Sequence, residues 1–484
     1  MKLFSLLFKR KIYVLFYYIL VLDKIYIYHR YIFKAGQIYF RIINIARKFN
    51  IRNITKKIIS LFKYRSDSNL NENELNVGSF TKVEYEIDKT IIHTSESKKE
   101  NDVAICIGSL GHGGAEKQWI FLAVGLKYLG YNPIFFIQQN LNEASKTYLN
   151  FLDQHEINII SLSDLRDYTD ILSTNIENLN YDFIPNNAKS EFSRLLKDED
   201  KILDVTIRYF AFRKFQYLFV ALDYANIFFG ISALINNFPN ILLSFRSLSP
   251  NYYFENNFAK NLYNFIYTHK SVKSSANSEH VIVSYSQYFD SNKEIRLTPN
   301  LNGIIYGPEK EICNCDKFHI VGLLRFSREK GPMEWLDAAE YVHDSVDYKI
   351  HFILSGQGVL LDQVRTRVKD LKLMGLDIDL TYIENSNLIF NQTSHGMLLT
   401  SSFTEGSSNL ILEAEAFKFP YFSLFKTNTT SVEKAPKSTY LNSNLIDFVN
   451  THIKLVPAKK RISNINLSRE ELSQYAQQYL NLFQ

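Results

Sequence analysis

The chain has 484 residues, of which 46% are hydrophobic and 22% are charged. This length exceeds what one hydrophobic core usually organises, so we expect two domains with additional segments, and the composition is that of a folded protein. Three cysteines cannot build a disulfide framework, which favours a reducing compartment, the cytoplasm. Cys313 and Cys315 have no pair of His or Cys at ligand spacing, so no metal site is predicted.

Positive charge is concentrated in residues 1–65, which hold 15 Lys and Arg and a single acidic residue and so carry +14. The whole chain is +5, which leaves −9 on the remaining 419 residues. The longest apolar run of this arm, Ile12–Leu22, has 11 residues, whereas a membrane-spanning helix needs about 20. In residues 30–48, basic and polar side chains recur at steps of 3 and 4, which predicts a helix with a cationic stripe opposite an aromatic and aliphatic face.

A helix of this kind is typical of a membrane interface, where each Lys or Arg near anionic lipid contributes about 1 kcal/mol. We therefore expect residues 1–65 to attach the protein peripherally to the cytoplasmic face of the cell membrane. A helical pair packed on the body of the protein and an organellar targeting peptide are the alternatives. A nucleic-acid partner is disfavoured because large apolar residues outnumber basic ones. Residues 66–101 are polar and weakly patterned and indicate a linker, with one short strand near Val83–Ile87.

Residues 102–312 are predicted to form a first α/β domain. A strand at Val103–Ile107, a glycine loop at Gly108–Gly114, a helix at Ala115–Leu129 and a strand at Pro133–Ile137 form a βαβ pattern. The glycines let backbone N–H groups approach a ligand at the helix N-terminus, where anions are stabilised. Their spacing does not match the dinucleotide fingerprint, so NAD is not predicted.

A second unit in this domain reads as a strand, a turn at the letters DYAN, a helix and another strand. Its strand ends carry Asp223, Asn226 and Arg246, which we expect at the carboxyl edge of a parallel sheet, where ligands bind. Asp223 is either catalytic or the cap of a helix that begins at Tyr224. Arg246 either contacts an acceptor phosphate or pairs with a structural carboxylate.

Residues 313–484 repeat the alternation of strands and helices. His319–Leu323 reads as a strand and is followed by a loop that carries Arg325 and Lys330, and a later strand ends in Gly356–Gly358. Such alternation predicts two doubly wound, Rossmann-like α/β domains that face each other across a cleft. This pattern is compatible with a last helix that crosses back to the first domain.

Two glutamates eight residues apart mark the start of a helix in TEGSSNLILEAEA. Glu405 lies in the loop that leaves a strand, and Glu413 lies about one and a half turns inside the helix. Ser407 and Ser408 are able to cap this helix, whose free N–H groups would face an anion. Cations beside a helix N-terminus suit a diphosphate, and carboxylates suit the hydroxyls of ribose and sugar. A diphosphate between two sugars is a nucleotide sugar.

These motifs resemble the retaining glycosyltransferases of GT-B architecture, in the "group 1" (family 4-like) family of bacterial surface-glycan enzymes. The resemblance covers roughly residues 102–480. It rests on E-x7-E at Glu405 and Glu413, GGAE at Gly113–Glu116, SYS…TPNLNG at Ser284–Gly303, which is similar to S-x-S…PNG, and RFSREKG at Arg325–Gly331, which is similar to R-x4-K-G.

The resemblance implies a role for each matching position. Arg325 and Lys330 would hold the donor diphosphate and stabilise the departing charge, Glu405 would bind the transferred sugar, and Glu413 the ribose. Retention would proceed by same-face attack without an essential metal or other cofactor, with a UDP-sugar as the favoured co-substrate. The remaining donor-site residues would be Gly406, Ser407, Ser408, Asn409, Gly356, Gly113 and Gly114, and the acceptor would meet Asp223, Asn226, Arg246 and His112.

The implied activity is transfer of a sugar from a nucleotide sugar to a glycan or lipid-linked acceptor in surface-polysaccharide synthesis. Three departures from the family pattern bear on it: Lys418 replaces a glycine that ends the helix, Asn428–Glu433 replaces a Gly-Gly pair before a further glutamate, and the letters ALDYAN stand where the family frequently has a histidine. A left-handed turn at a lysine costs about 1–2 kcal/mol. The alternatives are a sugar-nucleotide epimerase of the same architecture and a non-catalytic, membrane-docked partner subunit of a glycosyltransferase.

Overall fold

The computed structural model of the protein describes most of the chain beyond residue 100. The arm at 1–65, nearly all of the linker at 66–101, His112, the pair Cys313 and Cys315, and residues 428–433 lie outside the described residues. No helix among the described residues is long and apolar enough to cross a membrane. The described residues are 101–111, 113–138, 146–163, 181–197, 202–250, 259–289, 291–303, 305, 317–382, 389–390, 395–403, 405–425, 441–454 and 467–484.

The first domain is built on a sheet whose described strands are all parallel. Their spatial order is 3-2-1-4-5-6-7, counted along the chain. The strands expected at 103–107 and 133–137 are confirmed, with every residue of the first one buried. The strands are β1 (Asp102–Ile107), β2 (Asn132–Ile137), β3 (Asn158–Ser161), β4 (Tyr217–Ala221), β5 (Ile241–Phe245), β6 (Val272–Ala276) and β7 (Arg296–Leu297).

Helices cover this sheet on both faces. The sequence places Gly130 after the first of them, and its φ of 89° ends that helix in a left-handed turn as expected. The helices are α1 (Gly114–Tyr128), α2 (Lys146–Gln154), α3 (Asn186–Leu196), α4 (Ile202–Phe212), α5 (Asp223–Ile235), α6 (Lys260–Thr268) and α7 (Glu279–Phe289).

One local expectation for the first domain is wrong. The letters DYAN are the first turn of α5 rather than a turn before it, so the helix begins at Asp223 and not at Tyr224. The reversal of the chain is made one residue earlier, by Leu222, whose φ is 75°. A left-handed leucine is uncommon, and the sequence gives no signal for it.

The second domain repeats the design with a smaller parallel sheet. Its described strands have the spatial order 10-9-8-11-12. The strands are β8 (Phe318–Leu323), β9 (Ile350–Ser355), β10 (Ile378–Thr381), β11 (Gly396–Thr400) and β12 (Tyr421–Ser423), and the helices are α8 (Pro332–Ser345), α9 (Leu361–Leu373), α10 (Asn409–Ala416), α11 (Ser443–Ile453) and α12 (Arg469–Leu480).

Both sheets reverse their winding direction at one point. The reversal lies between β1 and β4 in the first sheet and between β8 and β11 in the second. In doubly wound sheets, ligands bind outside the carboxyl ends of the strands at this switch point. The expected fold class, two Rossmann-like domains facing each other across a cleft, is confirmed.

The last helix, α12, packs on the first domain. Leu472, Tyr475, Ala476 and Tyr479 are buried in the same apolar cluster as most of α1. Gly125 of α1 makes this packing possible, because a Cβ there would collide with the Leu472 carbonyl and the Ala476 methyl group. Helix α1 is therefore covered by the sheet on one side and by α12 on another, which explains why it is apolar almost all round.

Helix α10 ends in a left-handed turn at Lys418, the position at which the family pattern has a glycine. Lys418 has a φ of 51°. The backbone N–H of Phe419 donates to the carbonyl of Ala414 at 2.7 Å, and that of Lys418 to Glu415 at 2.9 Å, so the final carbonyls of the helix are satisfied. The lysine thus preserves the geometry that a glycine would adopt more cheaply.

Candidate active site

The loop after β8 is fixed against the ends of its two neighbouring strands. On the β9 side, the N–H of Phe326 donates to the Gln357 carbonyl at 2.7 Å. On the β11 side, the Ser401 hydroxyl donates to the Lys330 carbonyl at 2.9 Å. Gly331 has a φ of 62° and lies so close to the Ser401 carbonyl that a Cβ would collide with it. The sheet thereby holds Lys330 beside the chain that leaves β11.

Lys330 forms an ion pair with Glu405 across the switch point of the second sheet. Both side chains are half-buried, at 25% and 21% exposure. Arg325, in the same loop as Lys330, is exposed, and its guanidinium makes no hydrogen bond or ion pair with any described residue. The switch point therefore presents one free guanidinium beside an ammonium–carboxylate pair.

The start of helix α10 lies next to this ion pair. Ser408 caps the helix, because its hydroxyl accepts from the N–H of Ile411 at 3.5 Å, as expected from the sequence. Ser407 does not cap it; its carbonyl accepts from the side-chain amide of Asn300, at 3.3 Å. The remaining free N–H groups of the first turn give this end of the helix a partial positive charge.

The loop before α10 reaches the first domain. A Cβ on Gly406 would lie 2.7 Å from Val281 Cγ2, 2.8 Å from Asn277 Oδ1 and 3.3 Å from the Arg246 carbonyl. No larger residue fits there without moving a neighbour. The glycine that follows Glu405 therefore permits the donor-side loop to pack against the carboxyl edge of the first sheet.

A buried ion pair joins the two domains at the other end of this segment. The Lys117 ammonium, in the first turn of α1, bonds the Glu413 carboxylate of α10 and donates to the Gly303 carbonyl at 2.9 Å. The two side chains are 7% and 12% exposed. Removing one partner of such a pair typically costs 3–5 kcal/mol, because a buried charge loses its compensation.

Gln118 makes a second bridge beside it. Its amide nitrogen donates to Asn409 Oδ1 and to the Leu301 carbonyl, both at 2.9 Å, and its oxygen accepts from the Leu301 N–H and the Tyr475 hydroxyl, both at 2.8 Å. Gly114 lies against the Asn409 side chain with no room for a Cβ. The start of α1 thus contacts the start of α10 directly.

Glu116 lies in the same turn of α1, with its carboxylate folded back over Gly113. The side chain is buried at 6% exposure. Burial raises its pKa to about 7, while a hydrogen bond from its own backbone N–H and the charge of Arg325 act in the opposite direction. The Glu116 carboxyl group and Arg325 therefore interact electrostatically although they belong to different domains.

Asp223 and Asn226 belong to one buried network in the first domain. The hydroxyls of Tyr263 and Tyr285 both donate to Asp223 Oδ1, at 2.8 and 2.6 Å, and the Asn226 amide donates to the Tyr263 hydroxyl at 2.8 Å. The interpretation of Asp223 as a helix cap is wrong, since its carboxylate is engaged by tyrosines. Burial raises its pKa to about 6, and the two tyrosine bonds oppose that rise.

Arg246 directly follows β5 at the carboxyl edge of the first sheet and contacts helix α12. Its guanidinium donates to the Tyr479 hydroxyl at 3.1 Å, bonds Asn300 and stacks 5.6 Å from the ring of Trp119. Its hydrogen-bond partners are thus neutral groups, and no carboxylate among the described residues pairs with it, which does not support the alternative of a structural carboxylate partner. Its role is to join β5, the chain after β7 and the last helix.

Several buried polar atoms along the carboxyl edge of the first sheet have no hydrogen-bond partner among the described residues. Burying such an atom unpaired costs about 1–3 kcal/mol, so each is a place where a ligand hydroxyl or amide would be stabilised. They are both side-chain polar atoms of Gln138, which follows β2, together with Asn226 Oδ1, Arg246 Nε and Asn277 Oδ1.

The structure gathers most of the expected donor residues but not all. Glu405, Lys330, Glu413 and residues 406–409 surround the start of α10, and Gly113 and Gly114 lie opposite. Gly356 instead packs against the Leu324 carbonyl and the Phe326 ring. Among the described residues no group of His, Cys, Asp or Glu has the geometry of a metal site.

Sequence reasoning missed the residues that join the domains. They are Lys117, Gln118, Asn300, Tyr475 and Tyr479. A signal was present for the first two, since Lys117 and Gln118 precede the apolar run WIFLAVGL in a helix that is buried on nearly all sides. Polar residues at such positions need a polar partner. The sequence does not say which partner that is.

No protein-family model matches the chain, and no curated protein matches it. Solved structures are similar in fold. A mutant of S. aureus TarM in complex with fondaparinux, α-GlcNAc-glycerol and UDP is 10% identical, with a TM-score of 0.50 over 79% of this chain and 99% of its own. Anabaena HepE in complex with UDP is 11% identical, with a TM-score of 0.47 over 78% and 99%. A glycosyltransferase from Rickettsia africae is 16% identical, with a TM-score of 0.47 over 80% and 96%.

At these identities the similarity shows the fold alone. The TarM match covers a length that corresponds to both domains, and the fold of this chain is accordingly of the GT-B type. This agrees with the fold expected from the sequence motifs.

The buried Glu116 carboxyl predicts a measurable pH dependence of stability. Its folded pKa of about 7 exceeds the ordinary value of 4.5, so between these pH values the folded protein holds a proton that the unfolded chain has released. Its contribution to the unfolding free energy is therefore fully present below pH 4.5 and is lost as the pH rises to 7. At about 1.4 kcal/mol per pH unit, the loss is about 3 kcal/mol.

We expect Glu116→Gln to remove this loss. Relative to wild type, the variant should gain about 3 kcal/mol between pH 4.5 and 7.5 in urea unfolding. Glu470→Gln, at an exposed position of α12, is the matched control and should run parallel to wild type. Parallel curves for Glu116→Gln and wild type would show that this carboxyl ionises normally in the folded protein.

Proposed function

We propose that the protein is a retaining glycosyltransferase, which moves a sugar from a nucleoside-diphosphate sugar to a glycan or lipid-linked acceptor in cell-surface polysaccharide synthesis. The observation that carries the proposal is the arrangement at the second switch point. Arg325 has no ion-pair partner among the residues that the structure describes, Lys330 forms an ion pair with Glu405, and the N-terminus of α10 lies beside them. Two cations and a helix N-terminus suit a diphosphate, and a carboxylate suits sugar hydroxyls.

Each residue of this arrangement has a part in donor binding. Arg325 and Lys330 bind the diphosphate, together with the free N–H groups of the loop and helix at Gly406–Asn409. When the diphosphate replaces Glu405 as the partner of the Lys330 ammonium, the Glu405 carboxylate is able to accept hydrogen bonds from the transferred sugar. Glu413 accepts from the ribose, and the glycine pair at Gly113 and Gly114 borders the site from the first domain.

The transfer itself needs charge stabilisation more than covalent catalysis. The bond between the anomeric carbon and the diphosphate breaks, and a bond to the acceptor hydroxyl forms on the same face. The acceptor proton moves to the departing phosphate oxygen, so atoms and charges balance. Arg325 and Lys330 stabilise the negative charge that develops on that phosphate. In this proposal the two cations replace the metal ion that other transferases use to stabilise this charge. A UDP-sugar is the favoured donor.

The acceptor is proposed to bind along the carboxyl edge of the first sheet. The unpartnered polar atoms of Gln138, Asn226, Arg246 and Asn277 support this position, since a hydroxyl-rich ligand would satisfy them. Asp223 accepts hydrogen bonds from two tyrosines near Asn226 and would help to fix the position of the residues around the acceptor. His112, from the glycine loop, is proposed to join the site by its place in the sequence.

We expect Glu405→Gln and Lys330→Ala to abolish transfer while both variants remain folded. A lost charged hydrogen bond costs about 1.5–3 kcal/mol in binding, and more if it strengthens in the transition state. Lys317→Ala is the matched control for the lysine, because Lys317 lies at the amino edge of the same sheet and pairs with Asp377. Release of UDP and formation of glycosylated acceptor are the measurements.

The outcomes separate the alternatives. Wild-type turnover in either variant contradicts the assignment of this site. Conversion of a free UDP-sugar without any acceptor identifies an epimerase instead. Donor binding with neither hydrolysis nor transfer identifies a non-catalytic partner subunit.

The basic arm is proposed to hold the protein on the inner face of the cell membrane, near a lipid-linked acceptor. Its charge of +14 and an apolar run too short to span a bilayer support peripheral attachment. We expect the full chain to sediment with anionic liposomes, partly even in high salt, because apolar burial persists when charges are screened. A chain that starts near residue 100 should stay in the supernatant. Equal, poor sedimentation of both would contradict the attachment.

A further inference from the structure

We propose that Lys117 is a positioning residue of the donor site, which the first domain supplies to orient Glu413 for the hydroxyls of the donor ribose. The inference rests on the proposed function, since it names how a nucleotide would be recognised. Lys117 belongs to helix α1 of one domain, and Glu413 to helix α10 of the other. The motifs of the second domain therefore do not complete the donor site by themselves.

The contacts of Lys117 leave its ammonium little freedom. It bonds Glu413 and donates to the Gly303 carbonyl at 2.9 Å, and the side chain is 7% exposed. Gly303 lies in the chain that leads from the first domain towards the second. The ammonium is thus anchored on the first domain by its helix and by this carbonyl, and it fixes the carboxylate from that side.

The ion pair has a consequence for hydrogen bonding at Glu413. A carboxylate has about four acceptor positions, and the Lys117 ammonium occupies one of those of Glu413. A buried carboxylate is costly without an opposite charge, and Lys117 supplies that charge at contact distance. Hydroxyls bonded to an ionised carboxylate form charge-assisted bonds about twice as strong as neutral ones. Lys117 therefore strengthens ribose binding without contacting the ribose.

A second contact next to the ion pair keeps the geometry in place. Gln118 donates to Asn409 Oδ1 at 2.9 Å, and Gly114 leaves room for the Asn409 side chain. Lys117 and Gln118 are neighbours in α1, while Asn409 and Glu413 lie one turn apart in α10. The two helix starts therefore contact each other at two points, which fixes the rotation of α10 as well as its distance.

The test combines a protein change with a ligand change. UDP and 2′,3′-dideoxy-UDP are titrated into wild type, Lys117→Met and Lys117→Arg by calorimetry, with GDP and its dideoxy form in parallel. We expect Lys117→Met to weaken UDP binding by about tenfold and to leave binding of the dideoxy form unchanged, because the lysine acts only through Glu413 on the ribose hydroxyls. Lys117→Arg should restore most of the preference for the ribose form.

A matched control is Lys127→Met. Lys127 lies in the last turn of the same helix, half-exposed, and pairs with Glu156. This variant should bind both ligands as wild type does. Equal weakening of the UDP and dideoxy-UDP affinities by Lys117→Met would show that the lysine only holds the domains together, and it would overturn the proposal. Unchanged or tighter UDP binding would overturn it as well.

A further variant covers the case in which Lys117→Met does not fold. Lys117→Met/Glu413→Gln removes both charges and leaves no buried charge unpaired. It should bind UDP as weakly as Glu413→Gln alone, and a much weaker affinity of the double variant contradicts the inference. If wild type prefers UDP to its dideoxy form and Lys117→Met shows the same preference, only this inference is overturned. Wild type that binds no nucleoside diphosphate overturns the proposed function with it.

Discussion

The contact between the starts of helices α1 and α10 is the interaction on which the rest of the site depends. Each helix belongs to a different sheet, yet Lys117 bonds Glu413 and Gln118 bonds Asn409 across the cleft. These bonds bring two carboxyl edges together, each of which is the usual ligand-binding edge of a doubly wound sheet. Gly406, which follows Glu405 in the second domain, lies against Asn277 at the carboxyl edge of the first sheet.

Small residues are what allow this contact. Gly114 leaves room for Asn409, Gly406 leaves room for Asn277 and Val281, and Gly125 lets the last helix lie close to α1. A side chain at any of these positions would hold the two domains apart or loosen the helix that connects them. The second domain also returns α12 to the first, where Tyr475 and Tyr479 reach Gln118 and Arg246. The contact is therefore stabilised both by bonds across the cleft and by the packing of α12 on the first domain.

The sequence predicts the elements well, because their signals are local. Short apolar runs between helical patterns locate the strands, Gly130 ends α1, and Ser408 caps α10. It fails where the cause is tertiary. The tyrosines that engage Asp223 come from two other helices, and Arg246 is held by a tyrosine more than 200 positions later. The partner of Lys117 is likewise fixed only when both domains are folded, so no spacing in the chain reveals it.

We propose that a nucleoside diphosphate binds between Arg325 and the start of α10. The most direct test of this claim is the unfolding free energy of wild type and Arg325→Ala with UDP, GDP, ADP or inorganic pyrophosphate. We expect one nucleoside diphosphate, at 100 times its Kd, to stabilise wild type by about 2.7 kcal/mol and to stabilise Arg325→Ala far less at the same concentration. Equal stabilisation of both proteins, or no stabilisation of wild type by any of these nucleotides, would contradict the claim.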